Sequence, residues 1–448
     1  PMMVVRGDGA LMSAEQARER PIETILSGPA ASIVGARWMT GAENALVSDI
    51  GGTTTDVALI RDGLPQIDPA GAEVGGFRTM VEAVSMRTTG LGGDSQVHMN
   101  ASGLLGGVTL GPRRVLPVSL VAHEAPEIVH AALDAQLRSV APGEYDGRFI
   151  RAVVGMPAVG LPERDAGLLA RIGTGIKPLG DVLKTRLEQS SLKRLIERGL
   201  VQVAGVTPSD ASHVLGRVAA WDRDAAEKAL HLFARRRVGT GNPLAEGADE
   251  MAQMIVDQLT EQTALALLET TFAEEAEYFP LPAPDLARHV LTQRGFAGHN
   301  GILSLKAGIT VDVIGLGASA ASYYPAVGAR VNAQVVLPTH GAVANAIGAV
   351  VGQISQRRSG TVTSPSEGKY RVHLEEGPQD FDESTAALQC LEDRLTRDAC
   401  EGAEQAGAAD INLHVARNIR TAEVEAREVF VEAVLTVTAS GRPRAAHG

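Results

Sequence analysis

Eight consecutive residues carry the densest chemistry in the chain: Asp49-Ile50-Gly51-Gly52-Thr53-Thr54-Thr55-Asp56. Paired glycines let backbone N–H groups approach an anion closely, because no Cβ stands in the way. The threonine hydroxyls add donors at the same place. A carboxylate does not bind phosphate directly, so an Asp at the mouth of such a turn makes sense with a hard cation between, and Mg²⁺ prefers oxygen ligands and phosphates. The competing reading is a plain glycine hairpin with a capping Asp. Threonine is β-prone and not a favoured hairpin-tip residue, so three in a row beside Gly-Gly favour contact with phosphate.

Two other glycine turns could serve the same chemistry. Gly90-Leu91-Gly92-Gly93-Asp94-Ser95 reads as a strand-to-helix turn. Its glycines and Asp94 then sit at a helix N-terminus beside phosphate or metal, or Asp94 or Ser95 simply caps that helix. Gly315-Leu316-Gly317-Ala318-Ser319 follows an apolar strand and precedes a helix, as a nucleotide cradle or a tight connection would. His123, Glu124, Glu127 and His130 are interrupted by Pro126 and lack a His-Glu-x-x-His spacing, so they read as a solvated helix start. Arg113-Arg114 reads equally as a grip for an anionic substrate and as a surface pair. Arg235-Arg236-Arg237 reads as a favourable helix end.

These residues need elements to hold them. Ala45–Ser48 and Val57–Ile60 are apolar runs that read as strands flanking the first turn. Pro126 opens a helix to about Ser139, helices follow near 162–172 and 178–198, Thr207-Pro208-Ser209-Asp210 starts another, and Met251 to Leu268 mark a long amphipathic one. Strand signals return at Ile309–Ile314 and Gln334–Leu337. The tail reads as strands at 370–375, 411–417 and 428–437 around a helix at 384–406.

Composition narrows the function classes. The chain has 448 residues, 44% hydrophobic and 21% charged, which suits a folded protein of about three domains and not a disordered one. Lys+Arg total 41 against 53 Asp+Glu, a net charge of −12, which disfavours a nucleic-acid backbone binder. Aromatics at 3% disfavour base-stacking platforms. No run reaches the ~18 apolar residues of a membrane span. Cys390 and Cys400 lie ten apart in one expected helix, a rise of ~15 Å, too far for a disulfide. A reduced, cytoplasmic setting is therefore expected.

Taken together, the three turns resemble those of the actin-like ATPase superfamily. Residues 49–56 match its second-lobe hairpin, Asp-x-Gly-Gly-x-Thr-x-Asp, at every specified position. The closer resemblance is to the hydantoinase A/5-oxoprolinase family. It rests on Ser27-Gly28-Pro29-Ala30 with Gly35-Ala36, the 49–56 hairpin, Leu110-Gly111-Pro112-Arg113-Arg114-Val115, Gly317-Ala318-Ser319-Ala320, Tyr323-Tyr324-Pro325 and Ala344-Asn345-Ala346-Ile347-Gly348-Ala349. The resemblance runs from about 1 to 360.

It implies an α/β fold: an actin-like (ribonuclease H-like) ATPase lobe with a mostly helical insert and a C-terminal α+β module. The expected domains are 1–112 and 286–360 for the two parts of the lobe, 113–285 for the insert and 361–448 for the module. It implies ATP and Mg²⁺ as cofactors. Asp49 would orient the metal through water, and Thr53 and Thr54, with Gly51 and Gly52, would hold the terminal phosphate. Asp56 and Asp94, beside Gly92 and Gly93, would support the metal or the attacking oxygen. Gly315, Gly317, Ala318 and Ser319 would border the adenosine. The expected reaction is phosphorylation of the carbonyl oxygen of a cyclic amide (a hydantoin, 5-oxoproline or another lactam) for ring opening. ATP-dependent carboxylation of a ketone and a nucleotide-driven reactivating chaperone are the alternatives. The family also carries an N-terminal domain with a first Gly-Gly-Thr hairpin, and this chain shows one such hairpin. The first lobe is thus expected to be missing, cleaved or supplied by another chain, in an oligomer with a second hydantoinase-type subunit, with no nucleic acid or membrane partner.

Overall fold

A computed structural model describes residues 2–74, 77–100, 106–366, 368–374, 376–424 and 427–444, of which 73–74, 423–424 and 427–428 by backbone alone. The chain forms two compact units. The larger comprises Met39–Leu64 and Met86–Val343; the smaller comprises Pro1–Trp38, Pro65–Ser85 and Ala344–Gly448.

The larger unit is built on a mixed sheet. Its strands run in the order Met86–Thr89, Thr55–Arg61, Ala45–Ile50, Asp312–Leu316, Val335–Val336. Ala45–Ile50 pairs antiparallel with Thr55–Arg61 and parallel with Asp312–Leu316. Ala45, Leu46, Val47 and Ser48 are all buried, as are Val57, Ala58, Leu59 and Ile60. Such continuous burial is what a central strand covered on both faces requires. The sheet brings residues 45–61 beside residues 312–316, so two of the glycine turns share one edge.

Around that sheet lie the helices. Pro126–Arg138, Pro208–Val214 and Arg223–Ala234 form where the proline starts and apolar spacing place them. Thr207 caps the second with a reciprocal bond to Asp210, a capping box. The 27-residue helix Ala248–Glu274 buries Met251, Ile255, Leu259 and Leu267. Gln262 on it receives Leu110 N–H at 2.9 Å and donates back to Leu110 O at 3.1 Å. Four short strands, in the order Leu116–Pro117, Val201–Gly205, Phe149–Ala152, Lys177–Pro178, form a second sheet within the mostly helical segment.

In the smaller unit the helix Ser27–Thr40 packs on Ala344–Val351. A Cβ on Gly35 would stand 2.1 Å from Ala344 O, and one on Gly348 would stand 1.8 Å from Ala31 O. Only glycine permits this approach, which gives the 27–36 and 344–349 motifs a packing role. A five-stranded antiparallel sheet, ordered Gly377–Phe381, Lys369–Leu374, Ile354–Ser366, Arg427–Pro443, Ala408–Val424, carries the helix Ser384–Gln405. Cys390 and Cys400 lie on that helix as free thiols.

Three local expectations change. The turn at 90–95 leads into a strand, Ser95–Met99, and not a helix. Val97 and Met99 alternate with Gln96 and His98 and pair with Val108–Arg114, and pairing outweighs the capping potential of Asp94 and Ser95. The expected helix 178–198 is broken into Leu179–Val182 and Glu188–Glu197. Glu188 turns back to accept Lys184 N–H at 2.8 Å, starting the second helix afresh. The tail also holds a long strand at Ile354–Ser366 and a short one at Gly377–Phe381 that the sequence pattern does not mark.

Candidate functional site

The hairpin closes where the sequence places it. Gly51 N–H donates to Thr54 O at 2.9 Å, which leaves Gly51, Gly52 and Thr53 exposed at the tip. Asp49 lies directly across from Asp56, and Asp56 directly across from Thr88 on the neighbouring strand. Residues opposed in antiparallel register share one face of the sheet. Two carboxylates and a hydroxyl therefore line up on one face below the tip.

The second glycine turn is locked onto the first. Gly93 N–H donates to Gly51 O at 3.0 Å, and Asp94 N–H donates to Gly52 O at 2.8 Å. A Cβ on Gly92 would stand 2.6 Å from Gly51 O, and one on Gly52 would stand 2.8 Å from Asp94 Oδ2. Thr55, fully buried, donates its hydroxyl to Leu91 O at 2.7 Å. The third turn closes the corner. Gly317 has φ +112°, and a Cβ there would stand 2.2 Å from Ile50 O. Gly317 N–H donates to Gly341 O at 3.3 Å. Ala318 is exposed, Ser319 half-buried, and Gly315 lies buried against the Tyr324 ring. Thus the tip, the Gly92-Gly93-Asp94 turn and Gly317 meet at one corner of the larger unit.

The carboxylates differ in environment. Burial pushes the Asp56 carboxyl above its ordinary range, against the pull of hydrogen bonds from Thr88 and Thr54. Thr88 Oγ1 donates at 2.6 Å and Thr54 Oγ1 at 3.3 Å. Asp94 is held differently. Arg114 donates to its Oδ2 from Nη2 at 3.0 Å and Nε at 3.2 Å, and Ser209 Oγ lies 3.3 Å from its Oδ1. Ser209 also bonds Gly93 O through both its N–H and its hydroxyl, each at 2.8 Å. Tyr324 supports the floor of the hairpin. Its hydroxyl donates to Ser48 O at 2.7 Å, and burial, with Asp49 and Asp56 nearby, pushes its pKa up.

Among the described residues no group of three or more His, Cys, Asp or Glu could hold a metal ion. A cage made by protein alone is therefore absent there. Facing carboxylates on one sheet face still suit a cation that keeps its waters and shares phosphate oxygens, as Mg²⁺ does. The donor set fits that group.

Arg114, Ser209, Thr88 and Tyr324 join this corner without standing in the glycine motifs. Thr88 could have been found by counting back from the turn at 90, but Ser209 is 115 residues from Asp94 and no sequence spacing reveals it. The weaker histidine candidates resolve as structural contacts. Glu124 pairs with Arg151, and His130 Nε2 lies 2.9 Å from Asp222. No helix among the described residues is long and apolar enough to cross a membrane.

No curated protein gave a significant match. Among solved structures, a nucleotide-free acetone carboxylase aligns with 99% of this chain and 53% of its own, at 15% identity and a TM-score of 0.43. An ATP-dependent caprolactamase from Pseudomonas jessenii aligns with 100% of this chain and 54% of its own, at 14% identity and a TM-score of 0.49. The chain thus spans about half the length of these structures. The hydantoinase/oxoprolinase family model matches residues 1–358, a span that contains every residue of the glycine corner, and the chain belongs to that family.

Proposed function

We propose that the chain is part of an ATP-dependent hydrolase that opens a cyclic amide. The observation that carries this reading is the glycine corner itself: an exposed Gly51-Gly52-Thr53 tip over two facing aspartates. Family membership supports the same reading.

An amide is a poor electrophile, and ATP supplies a phosphoryl group that turns its oxygen into a leaving group. The protein's task is then positioning and charge neutralisation. Gly51, Gly52, Thr53 and Thr54 offer backbone and hydroxyl donors to a terminal phosphate. Asp49 would help to hold Mg²⁺, which would offset the charge of the phosphates. Asp56, with its proton affinity raised by burial and held by Thr88, would help to hold the metal or orient the attacking oxygen. Gly92 and Gly93 keep the turn tight enough to seat the tip. Asp94, braced by Arg114 and Ser209, supports that seat. Gly315, Gly317, Ala318 and Ser319 border the adenosine.

The test is ATP hydrolysis by the chain with its partner subunit, measured across a panel of lactams and ketones. Stimulation by one or more lactams is expected, and Asp49→Asn is expected to cut turnover by at least ~100-fold with the fold intact. Stimulation by ketones and bicarbonate alone, or wild-type rates in Asp49→Asn, would overturn the reading.

A further inference from the structure

A second site lies on the larger unit. A cleft of about 270 Å³ is lined by Gln96, His98, Asp146, Arg148, Phe233 and Arg236, among others. Its walls come from the strand that leaves the Asp94 turn, the strand at Val201–Gly205 and the end of the helix Arg223–Ala234. Val97 N–H donates to Val206 O at 3.1 Å and ties two of these walls together. His98 stands roughly 13 Å along its strand from Asp94, at 3.3 Å per residue.

The charge in this cleft is unusual for a protein of net charge −12. Arg148 and Arg236 both line the cleft, and after burial the charge of Arg148 weighs on Arg236 while that of Arg113 weighs on Arg148. Burial first, and then the charges of Arg148, Arg113 and Arg236, hold His98 toward its neutral form. Among the described residues none of Arg113, Arg148 and Arg236 has an ion pair. Asp146 attracts Arg236 and Glu144 attracts Arg148 without an ion pair to either, and Asp146 Oδ2 accepts Gly143 N–H at 2.8 Å, capping its own turn. Arg236 is oriented from behind, its guanidinium carbon 4.2 Å from the centroid of the Phe233 ring. Half-buried like charges without a partner are costly, and a partly desolvated guanidinium fork matches the two oxygens of a carboxylate or phosphate.

We propose that this cleft binds a small organic anion whose carboxylate or phosphate head is gripped by Arg148 and Arg236, with His98 beside it. A cleft of this size admits a metabolite and not a polymer. Both this site and the glycine corner lie on the larger unit.

Calorimetric titration of the whole chain with inorganic phosphate and, separately, with malonate tests this. At least one should bind, and Arg148→Gln with Arg236→Gln should weaken it by at least about tenfold. Arg236→Lys should retain more affinity than Arg236→Gln. Tighter phosphate names a phosphorylated ligand, and tighter malonate a carboxylate. Wild-type affinity in the double variant would mean that the anion sits elsewhere, and the proposal falls. Should that variant not fold, labelling with phenylglyoxal decides in the unmodified protein: Arg148 and Arg236 should be shielded by the anion. Equal labelling with and without either anion overturns the proposal. None of these readouts requires ATP turnover, so the lactamase reading can fail while this one stands.

Discussion

The glycine corner and the arginine cleft sit on one unit, linked through the strand Ser95–Met99, yet they are built on opposite principles. The corner is made of backbone. Its turns touch through carbonyls and N–H groups, and its glycines are there because a Cβ would collide. The cleft is made of side-chain charge, with guanidiniums drawn from distant segments. A backbone device fails when an atom is added. A charge device fails when a charge is removed and tolerates changes of shape. That difference is open to experiment.

The largest effect is expected at Gly317. Its φ of +112° and the 2.2 Å approach to Ile50 O leave no room for a methyl, so Gly317→Ala should cost at least ~2 kcal/mol by urea denaturation and abolish ATP turnover. A wild-type melt would show that the corner is not set by backbone contact. Next is Gly92→Ala, whose Cβ would press on Gly51 O. It should impair turnover more than stability, because the tip is what moves. Tyr324→Phe removes a buried hydroxyl from Ser48 and should cost about 1 kcal/mol, readable in the same denaturation experiment, while leaving the anion affinity of the arginine cleft unchanged.

A smaller effect comes from pH. Burial raises the Asp56 pKa above 3.8, so the folded chain binds this proton more tightly than the unfolded one. Stability from this group is present below the unfolded value and is lost as pH rises through the folded value. Asp56→Asn should therefore gain on the wild type as pH increases through that window, in paired melts. Asp165 behaves with the opposite sign. Hydrogen bonds from Arg194 hold it down to about 2 from 3.8, so its contribution is kept above pH 4 and lost as pH falls toward 2. Asp165→Asn should reduce stability near neutrality, flatten the acid limb and leave ATP turnover alone. This closed Asp–Arg pair, with Arg194 Nη2 at 2.7 Å from Asp165 Oδ1, is the control for the cleft, where the arginines have no such partner among the described residues.

The corner was legible because its chemistry is contiguous. Gly51 to Asp56 declare a tip and its carboxylates within one run of sequence, and Gly317 announces a tight turn by its neighbours. The helices at Pro126, Pro208 and Ala248 follow from proline starts, a capping box and apolar spacing, all local signals. The 90–95 turn misled because its local cue, glycines before Asp and Ser, is shared by helix caps and strand junctions. Pairing with Val108–Arg114 decided between them. The Arg113-Arg114 pair was ambiguous for a related reason: Arg114 turns to Asp94, while Arg113 contributes its charge to the cleft.

The sequence alone determined the hairpin, the family and the local starts of the helices, because each depends on residues within a few positions of one another. Tertiary structure alone decided that Ser209 braces the Asp94 turn and that arginines from residues 113, 148 and 236 share one field. Electrostatic and steric contacts act through space, and residues separated by a hundred positions leave no periodic trace of where the chain will fold them together.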